Sequence, residues 1–235
     1  MNKAYRTIIK NAGVCLDAIS FVPGETTSNC YLLSDQDNNH IAIFYPGAMD
    51  SQYATGMKDD FFREARIAVL TVGSYDDNVE FYQKCLQYNV PLVFGMKCDF
   101  EAFPKELFRK ILFSSKVVFT NQEERREIES IFNFSAITEL FEKGKAEVIV
   151  MTQGKSGSIA YQISPQGIIS NTVSAAVYGK VVDTSGSGDA YMAGFLYGYL
   201  NEAPIDECCK MGSVLHLLLS RKSAAPPMPL TVSNF

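Results

Sequence analysis

Asp183-Thr184-Ser185-Gly186-Ser187-Gly188-Asp189-Ala190 is preceded by Lys180-Val181-Val182 and followed by Tyr191-Met192-Ala193-Gly194-Phe195-Leu196. This stretch reads as a glycine-rich turn from Asp183 to Asp189 and the start of a helix. Glycines at 186 and 188 let the backbone come close to a ligand and turn its N–H groups inward. The helix that follows adds its dipole, so the turn is suited to an anion such as a phosphate. Asp189 is out of place in a pure phosphate cradle. A carboxylate there makes chemical sense if it accepts a proton from a hydroxyl attacking phosphorus. The plainer alternative is that Asp189 caps the helix, a common use of Asp. Two other glycine motifs are excluded. No Gly-Lys-Ser/Thr follows, as a Walker A loop requires, and after Gly188 the next glycine is Gly194, too late for the dinucleotide fingerprint.

Working outward, short apolar runs alternate with longer amphipathic ones. Thr27 to Leu33 and His40 to Tyr45 predict two strands joined by the polar loop Ser34 to Asn39. Ile67 to Val72 predicts a buried strand, and Asp76 or Asp77 caps a helix running to about Tyr88. Pro91 to Gly95 predicts a strand, and Pro104 opens a helix through about Phe113. Lys116 to Thr120 is a strand leading directly into a charged helix from Asn121. Glu147 to Thr152 is the next strand, and Gly157 to Tyr161 pairs with it or extends the sheet. Helices over about 188–200 and 204–219 follow the glycine turn. Strands alternating with helices imply right-handed crossovers and an α/β fold with a mainly parallel sheet covered by helices. No composition break marks a linker, so residues 1–235 are expected to form a single domain.

The chain has 47% apolar and 20% charged residues, which excludes a disordered or collagen-like class. The 21 Lys and Arg against 26 Asp and Glu leave a net charge of −5, the opposite of the basic stripe that nucleic-acid binding needs. No apolar run reaches the roughly 18 residues of a membrane span. Met1 to Arg6 lacks the apolar stretch of a secretory signal, so a cytoplasmic protein is expected. Cysteines at 15, 30, 85, 98, 208 and 209 form no C-x-x-C pair, and only His40 and His216 could join them in a zinc site. Reduced, mostly buried thiols are expected.

The glycine-rich stretch resembles the D-T-x-G-[AS]-G-D signature of the ribokinase-like (PfkB) carbohydrate and nucleoside kinases, and Ala193-Gly194-Phe195 matches its continuation. Asn121-Gln122-Glu123-Glu124 resembles that family's N-x-x-E motif, and Thr152-Gln153-Gly154-Lys155-Ser156-Gly157-Ser158 its T-x-G-x-x-G turn. The run from Ser220 to Pro229 resembles the T-R-x-G-A ending of ribokinases, with Ser223 where glycine is usual. Phe44 to Met49, after the hairpin, is most similar to an adenosine-kinase-like branch. The motifs occur in the family's order from about Tyr5 to Pro229.

The resemblance implies a three-layer ribokinase-like fold and ATP-dependent phosphotransfer to a sugar or nucleoside hydroxyl, an adenosine-like nucleoside being favoured. It implies Asp189 as catalytic base, with Gly186, Ser187 and Gly188 as the anion hole. Asn121 and Glu124 would organise Mg²⁺ near the ATP phosphates, with no direct metal ligand assigned, and Thr152 and Gly154 would contact the nucleotide. Asp183 and Ser185 align with a monovalent-cation loop of some relatives. Family members begin with further βα units that carry a substrate-gripping aspartate and a Gly-Gly-x-x-x-Asn segment, and this sequence contains no Gly-Gly dipeptide. An N-terminally truncated domain is therefore expected, with the acceptor contacts unassigned. Apolar surface left uncovered would favour a homo-oligomer. The alternative function is a catalytically impaired remnant that binds nucleotide or serves as an interaction protein.

Overall fold

The computed structural model describes residues 3–34, 40–95, 100–176 and 184–220. It divides into two compact units, one of Met1–Leu92 with Lys97–Ile111 and one of Val93–Met96 with Leu112–Phe235. The first opens with helix α1 (Lys3–Asn11), which the sequence reading did not predict, and a hairpin of strands β1 (Asn29–Ser34) and β2 (His40–Tyr45). The strands pair antiparallel with Tyr31 opposite Ile43 and Leu33 opposite Ile41. Because side chains alternate along a strand, Tyr31, Leu33, Ile41, Ile43 and Tyr45 share one face, and all five are exposed.

A short helix, α2 (Asp59–Arg63), strand β3 (Ala68–Leu70) and helix α3 (Tyr75–Gln87) follow. Phe62 of α2 meets Phe81 of α3 edge-on at 5.4 Å between ring centroids, a favoured aromatic geometry. The expected cap of α3 is corrected: Ser74, not Asp76 or Asp77, stands at the N-cap. Its hydroxyl accepts from the Asp77 N–H at 3.2 Å and donates to the Asp77 carboxylate at 2.7 Å. The two aspartates lie in the first turn, where their charge suits the helix dipole. Asn78 is buried because its amide donates to the carbonyls of Gly73 and Ala102, each at 3.1 Å.

The division between the units passes through strand β4 (Leu92–Gly95) and helix α4 (Lys105–Ser114). In the second unit, β4 pairs parallel with β5 (Val117–Asn121), which pairs parallel with β6 (Val148–Thr152). Helix α5 (Gln122–Phe132) and the single turn α6 (Leu140–Lys143) form the crossover between β5 and β6. Strand β7 (Ser158–Ser164) is reached from β6 by a tight turn, too short for a crossover, and runs antiparallel, as does β8 (Gly167–Val173) beside it. Val117, Val118, Ile149 and Val150 are fully buried, which is why β5 and β6 read as unbroken apolar runs rather than alternating ones.

Helices α7 (Ser187–Leu200) and α8 (Ile205–Ser220) complete the unit. Phe195 of α7 packs edge-on to Phe119 of β5 at 5.3 Å. The two helices approach closely because glycines face each other. A Cβ on Gly194 would stand 2.6 Å from the Met211 carbonyl, and one on Gly212 2.8 Å from that of Tyr191. Cys208 and Cys209 are buried beside this crossing and Cys85 in the first unit, while Cys15 and Cys30 are exposed, so most of the described thiols are buried. Cys98 lies outside the described residues. Among the described residues, no helix is long and apolar enough to cross a membrane.

Candidate functional site

The parallel strands deliver the site. Asn121 ends β5 and Thr152 ends β6, and the two are register partners, so both motif residues stand side by side at the carboxyl edge of the sheet. Ligands in open α/β folds bind at that edge. The Thr152 hydroxyl donates to the Thr120 carbonyl at 3.4 Å, tying the strand ends together.

Asn121 is also the N-cap of α5. Its side-chain oxygen accepts from the N–H groups of Glu123 and Glu124 at 2.8 and 2.9 Å, and the Glu124 carboxylate accepts from the Asn121 N–H at 2.8 Å. This is a reciprocal capping box, and it gives N-x-x-E a structural reason as well as a chemical one. Asn121→Ala should cost about 1 kcal/mol of stability, whereas Asn121→Asp, an equally good cap, should not. Thermal melts that place the two variants together would refute this.

After β6 the chain turns through Gly154–Ser156, with Gly154 at φ +55° and Gly157 at φ +99°. The Gln153 N–H donates to the Gly157 carbonyl at 2.8 Å, closing the loop. On the facing side, Gly186 is the N-cap of α7 at φ 72°, the left-handed region where glycine is at no disadvantage. Asp189 therefore does not stand at the cap; it is exposed on the third helical residue. The turn already engages one N–H of the expected anion hole. The Ser187 N–H already donates to the Thr184 carbonyl at 3.1 Å, and the Gly186 carbonyl is taken by the Ala190 N–H at 2.9 Å. The Gly188 N–H lies in the first turn, where the helix provides no carbonyl partner.

These elements enclose a cavity of about 370 Å³. Of the residues expected at the site, Asn121, Thr152, Gly154, Ser187 and Gly188 line it. Glu124, Gly186 and Asp189 lie in the same first turns but are not part of its wall, Ser185 is exposed, and Asp183 lies outside the described residues. The wall also includes Glu123, Gln153, Gly157 and Tyr191, which stand inside the quoted stretches without a role of their own assigned, and Ser213 and His216, which no motif marked. Tyr191 donates to the Ser158 hydroxyl at 2.7 Å, and burial pushes its phenol far up, out of any acid–base role near neutrality. Burial likewise raises the Cys209 thiol, so it is not a nucleophile. Ser213 accepts from the Ala176 N–H at 2.8 Å and braces the strand-exit side of the cavity.

The donor set suits a nucleotide. A Cβ at Gly154 or Gly188 would meet no atom within 4 Å, so the backbone is open to an approaching phosphate at both turns. A dedicated metal cage is not what the residues form: among the described residues no cluster of three His, Cys, Asp or Glu is placed to hold an ion. Glu123 is the acidic side chain on the cavity wall. That fits Mg²⁺ carried largely by phosphates and water, its usual habit.

A family model described as pfkB family carbohydrate kinase matches residues 1–229. The nucleoside kinase of Methanocaldococcus jannaschii is 26% identical over 212 residues, covering 90% of this chain and 67% of that protein. That of Methanothermobacter thermautotrophicus is also 26% identical, covering 90% of this chain and 66% of that protein. The chain thus spans about two thirds of the length of these curated relatives. Among solved structures, Burkholderia thailandensis nucleoside kinase in complex with inosine superposes with a TM-score of 0.80 at 20% identity, covering 94% of this chain and 71% of that one. Arabidopsis thaliana ribokinase complexed with ribose and ATP gives a TM-score of 0.75 at 21% identity, covering 95% and 74%. The α/β fold is therefore ribokinase-like.

Proposed function

Because the chain belongs to the pfkB family of carbohydrate kinases, which are small-molecule kinases, we propose that it transfers the terminal phosphoryl group of ATP to a hydroxyl of a nucleoside. The observation that carries this reading is the convergence of Asn121, Thr152 and Gly154 with Ser187 and Gly188 on one cavity. Three separate motifs, far apart in sequence, supply a strand-end polar pair and two glycine turns to the same space. Relatives named nucleoside kinase, one of them bound to inosine, favour a purine nucleoside over a free sugar as acceptor, with adenosine the first to test.

In this reading Gly154 and Thr152 hold the nucleotide, and the first turn of α7 faces its terminal phosphate. The Gly188 N–H and the helix dipole oppose the negative charge that spreads over the transferring phosphoryl oxygens. Asp189 accepts the proton of the acceptor hydroxyl as its oxygen bonds to phosphorus and the bond to the ADP oxygen breaks. Asn121 and Glu123 orient waters on the phosphate side. Mg²⁺ travelling with the nucleotide supplies further charge neutralisation. A protein that consumes ATP and carries a net charge of −5 suits the cytoplasm.

Binding and turnover can be tested separately. MgATP at a hundred times its dissociation constant should raise unfolding free energy by about 2.7 kcal/mol. The measurement is a thermal melt with and without the nucleotide, followed by turnover across adenosine, inosine, cytidine and ribose. No stabilisation at millimolar MgATP would sink the nucleotide site. Stabilisation without turnover on any acceptor would identify a nucleotide-binding remnant instead.

A further inference from the structure

Helix α8 contributes a side chain to the cavity that no sequence motif marked. The close approach at Gly194 and Gly212 draws α8 against α7, and one turn beyond Gly212 the ring of His216 reaches the first residue of α7. Its Nδ1 lies 3.2 Å from the Ser187 carbonyl oxygen. A carbonyl only accepts, so Nδ1 is the donor and carries the hydrogen. That bond fixes both the ring's orientation and its tautomer, and leaves Nε2 as the ring atom available to the cavity that His216 lines.

The charge inventory of the wall gives this position its meaning. Among the described residues lining the cavity there is no Lys or Arg, and Glu123 is negative. The other ionisable group on the wall is Tyr191, held neutral by burial, and Asp189 lies off the wall on the exposed side of the first turn of α7. Strands β7 and β8, which pack against α8, contain no acidic or basic residue. His216 is thus the one side chain on the described wall that can place a positive charge beside the phosphate-facing turn.

We propose that His216 is a nucleotide-binding residue of this chain: anchored through Nδ1 to the Ser187 carbonyl, it presents Nε2–H in its protonated form to the polyphosphate. The inference rests on the nucleotide reading above and adds to it the group that neutralises phosphate charge from the α8 side. A charge-assisted hydrogen bond is stronger than a neutral one, so the contribution should be larger when the imidazole carries a charge.

The test measures ADP affinity by calorimetry for the parent, His216→Asn and His216→Gln at pH 6 and pH 8. Asparagine retains a donor for the Ser187 carbonyl but cannot gain a charge, and protonation of ADP itself cancels in the ratio at each pH. At pH 6 the variants should bind about tenfold more weakly than the parent, the usual worth of a hydrogen bond to a charged group, and at pH 8 the gap should shrink to about twofold. A gap that is absent, or equal at both pH values, overturns the inference and leaves the nucleotide site standing. A parent that does not bind ADP at all overturns the nucleotide reading, and the role of His216 with it. If neither variant folds, the parent alone still decides. It has only two histidines, and saturating ADP should move the ring resonance of one of them; binding with both resonances unmoved refutes the contact.

Discussion

Asp189→Asn should lower phosphoryl transfer by about 10²–10⁴ while leaving nucleotide binding nearly intact, the range expected when a general base is lost. That corresponds to roughly 3–5 kcal/mol of transition-state stabilisation at about 1.36 kcal/mol per tenfold. The amide is almost isosteric with the carboxylate but cannot accept the acceptor's proton. Stability offers the internal control. Gly186, not Asp189, occupies the cap of α7, and Asp189 is exposed. The substitution therefore removes no cap and empties no buried volume, and it gives up the modest attraction of a first-turn carboxylate to the helix dipole, about 0.3–1 kcal/mol. ATP affinity should hold or rise slightly, because a negative charge near the terminal phosphate is gone. Steady-state turnover with adenosine, alongside calorimetric titration of ATP, separates these effects. Equal turnover in both proteins would remove Asp189 from the chemistry. A large fall in melting temperature would show that the residue has a structural role instead.

How much of this was legible in the sequence depended on what kind of interaction set each feature. Strands β5 and β6 were readable because central parallel strands are buried on both faces and so appear as unbroken apolar runs. Strand β2 was readable because the polar loop before it and Pro46 after it bound the apolar segment. Strand β8 was missed: its residues are exposed or half-buried, so it has no pattern of its own and is a strand because β7 pairs with it. The cap of α3 was misplaced by two or three residues because Ser, Asp and Asp all lie within one turn. All three residue types cap well, and only the hydroxyl geometry at Ser74 decides among them.

The site divides in the same way. Asn121 and Thr152 could be found because each ends a strand, and β5–β6 pairing alone sets them side by side. Glu124 was read as organising Mg²⁺, and its carboxylate also accepts from the Asn121 N–H, a bond that the same spacing permits. Ser213 and His216 carried no readable signal of their own. They reach the cavity only because two helices cross at glycines eighteen positions apart, Gly194 and Gly212. The small residues were visible in the sequence, but the crossing was not.

Gly157 joins fold and site most tightly, and Gly157→Ala should be the most damaging single methyl in the second unit. The residue sits at φ +99° and ψ −131°, a conformation L side chains avoid. A Cβ there would stand 2.0 Å from the Val173 carbonyl oxygen, 2.6 Å from the Ala175 nitrogen and 2.7 Å from the Ser174 carbonyl carbon. All three are backbone atoms, so no rotamer change relieves the clash. The chain leaving β8 must shift away from the start of β7, opening the Ser158–Val173 pair and displacing Ala175 from the cavity wall. Backbone strain of about 1–3 kcal/mol adds to an overpacking cost of about 1–3 kcal/mol. With a shift of about 2–4 °C per kcal/mol for a chain of this size, the melting temperature should fall by about 10 °C. Stabilisation by MgATP should weaken as well, since the displaced wall is part of the nucleotide cavity. Gly154→Ala is the matched control. It lies three residues earlier in the same turn at φ +55°, but its added methyl would meet nothing within 4 Å, so only the left-handed backbone cost of about 1–2 kcal/mol applies. Thermal melts should therefore rank the parent above Gly154→Ala and that variant well above Gly157→Ala. If the two variants melt together, the loss comes from turn preference alone, and the close approach of the β8 exit to Gly157 is not what holds this corner of the site.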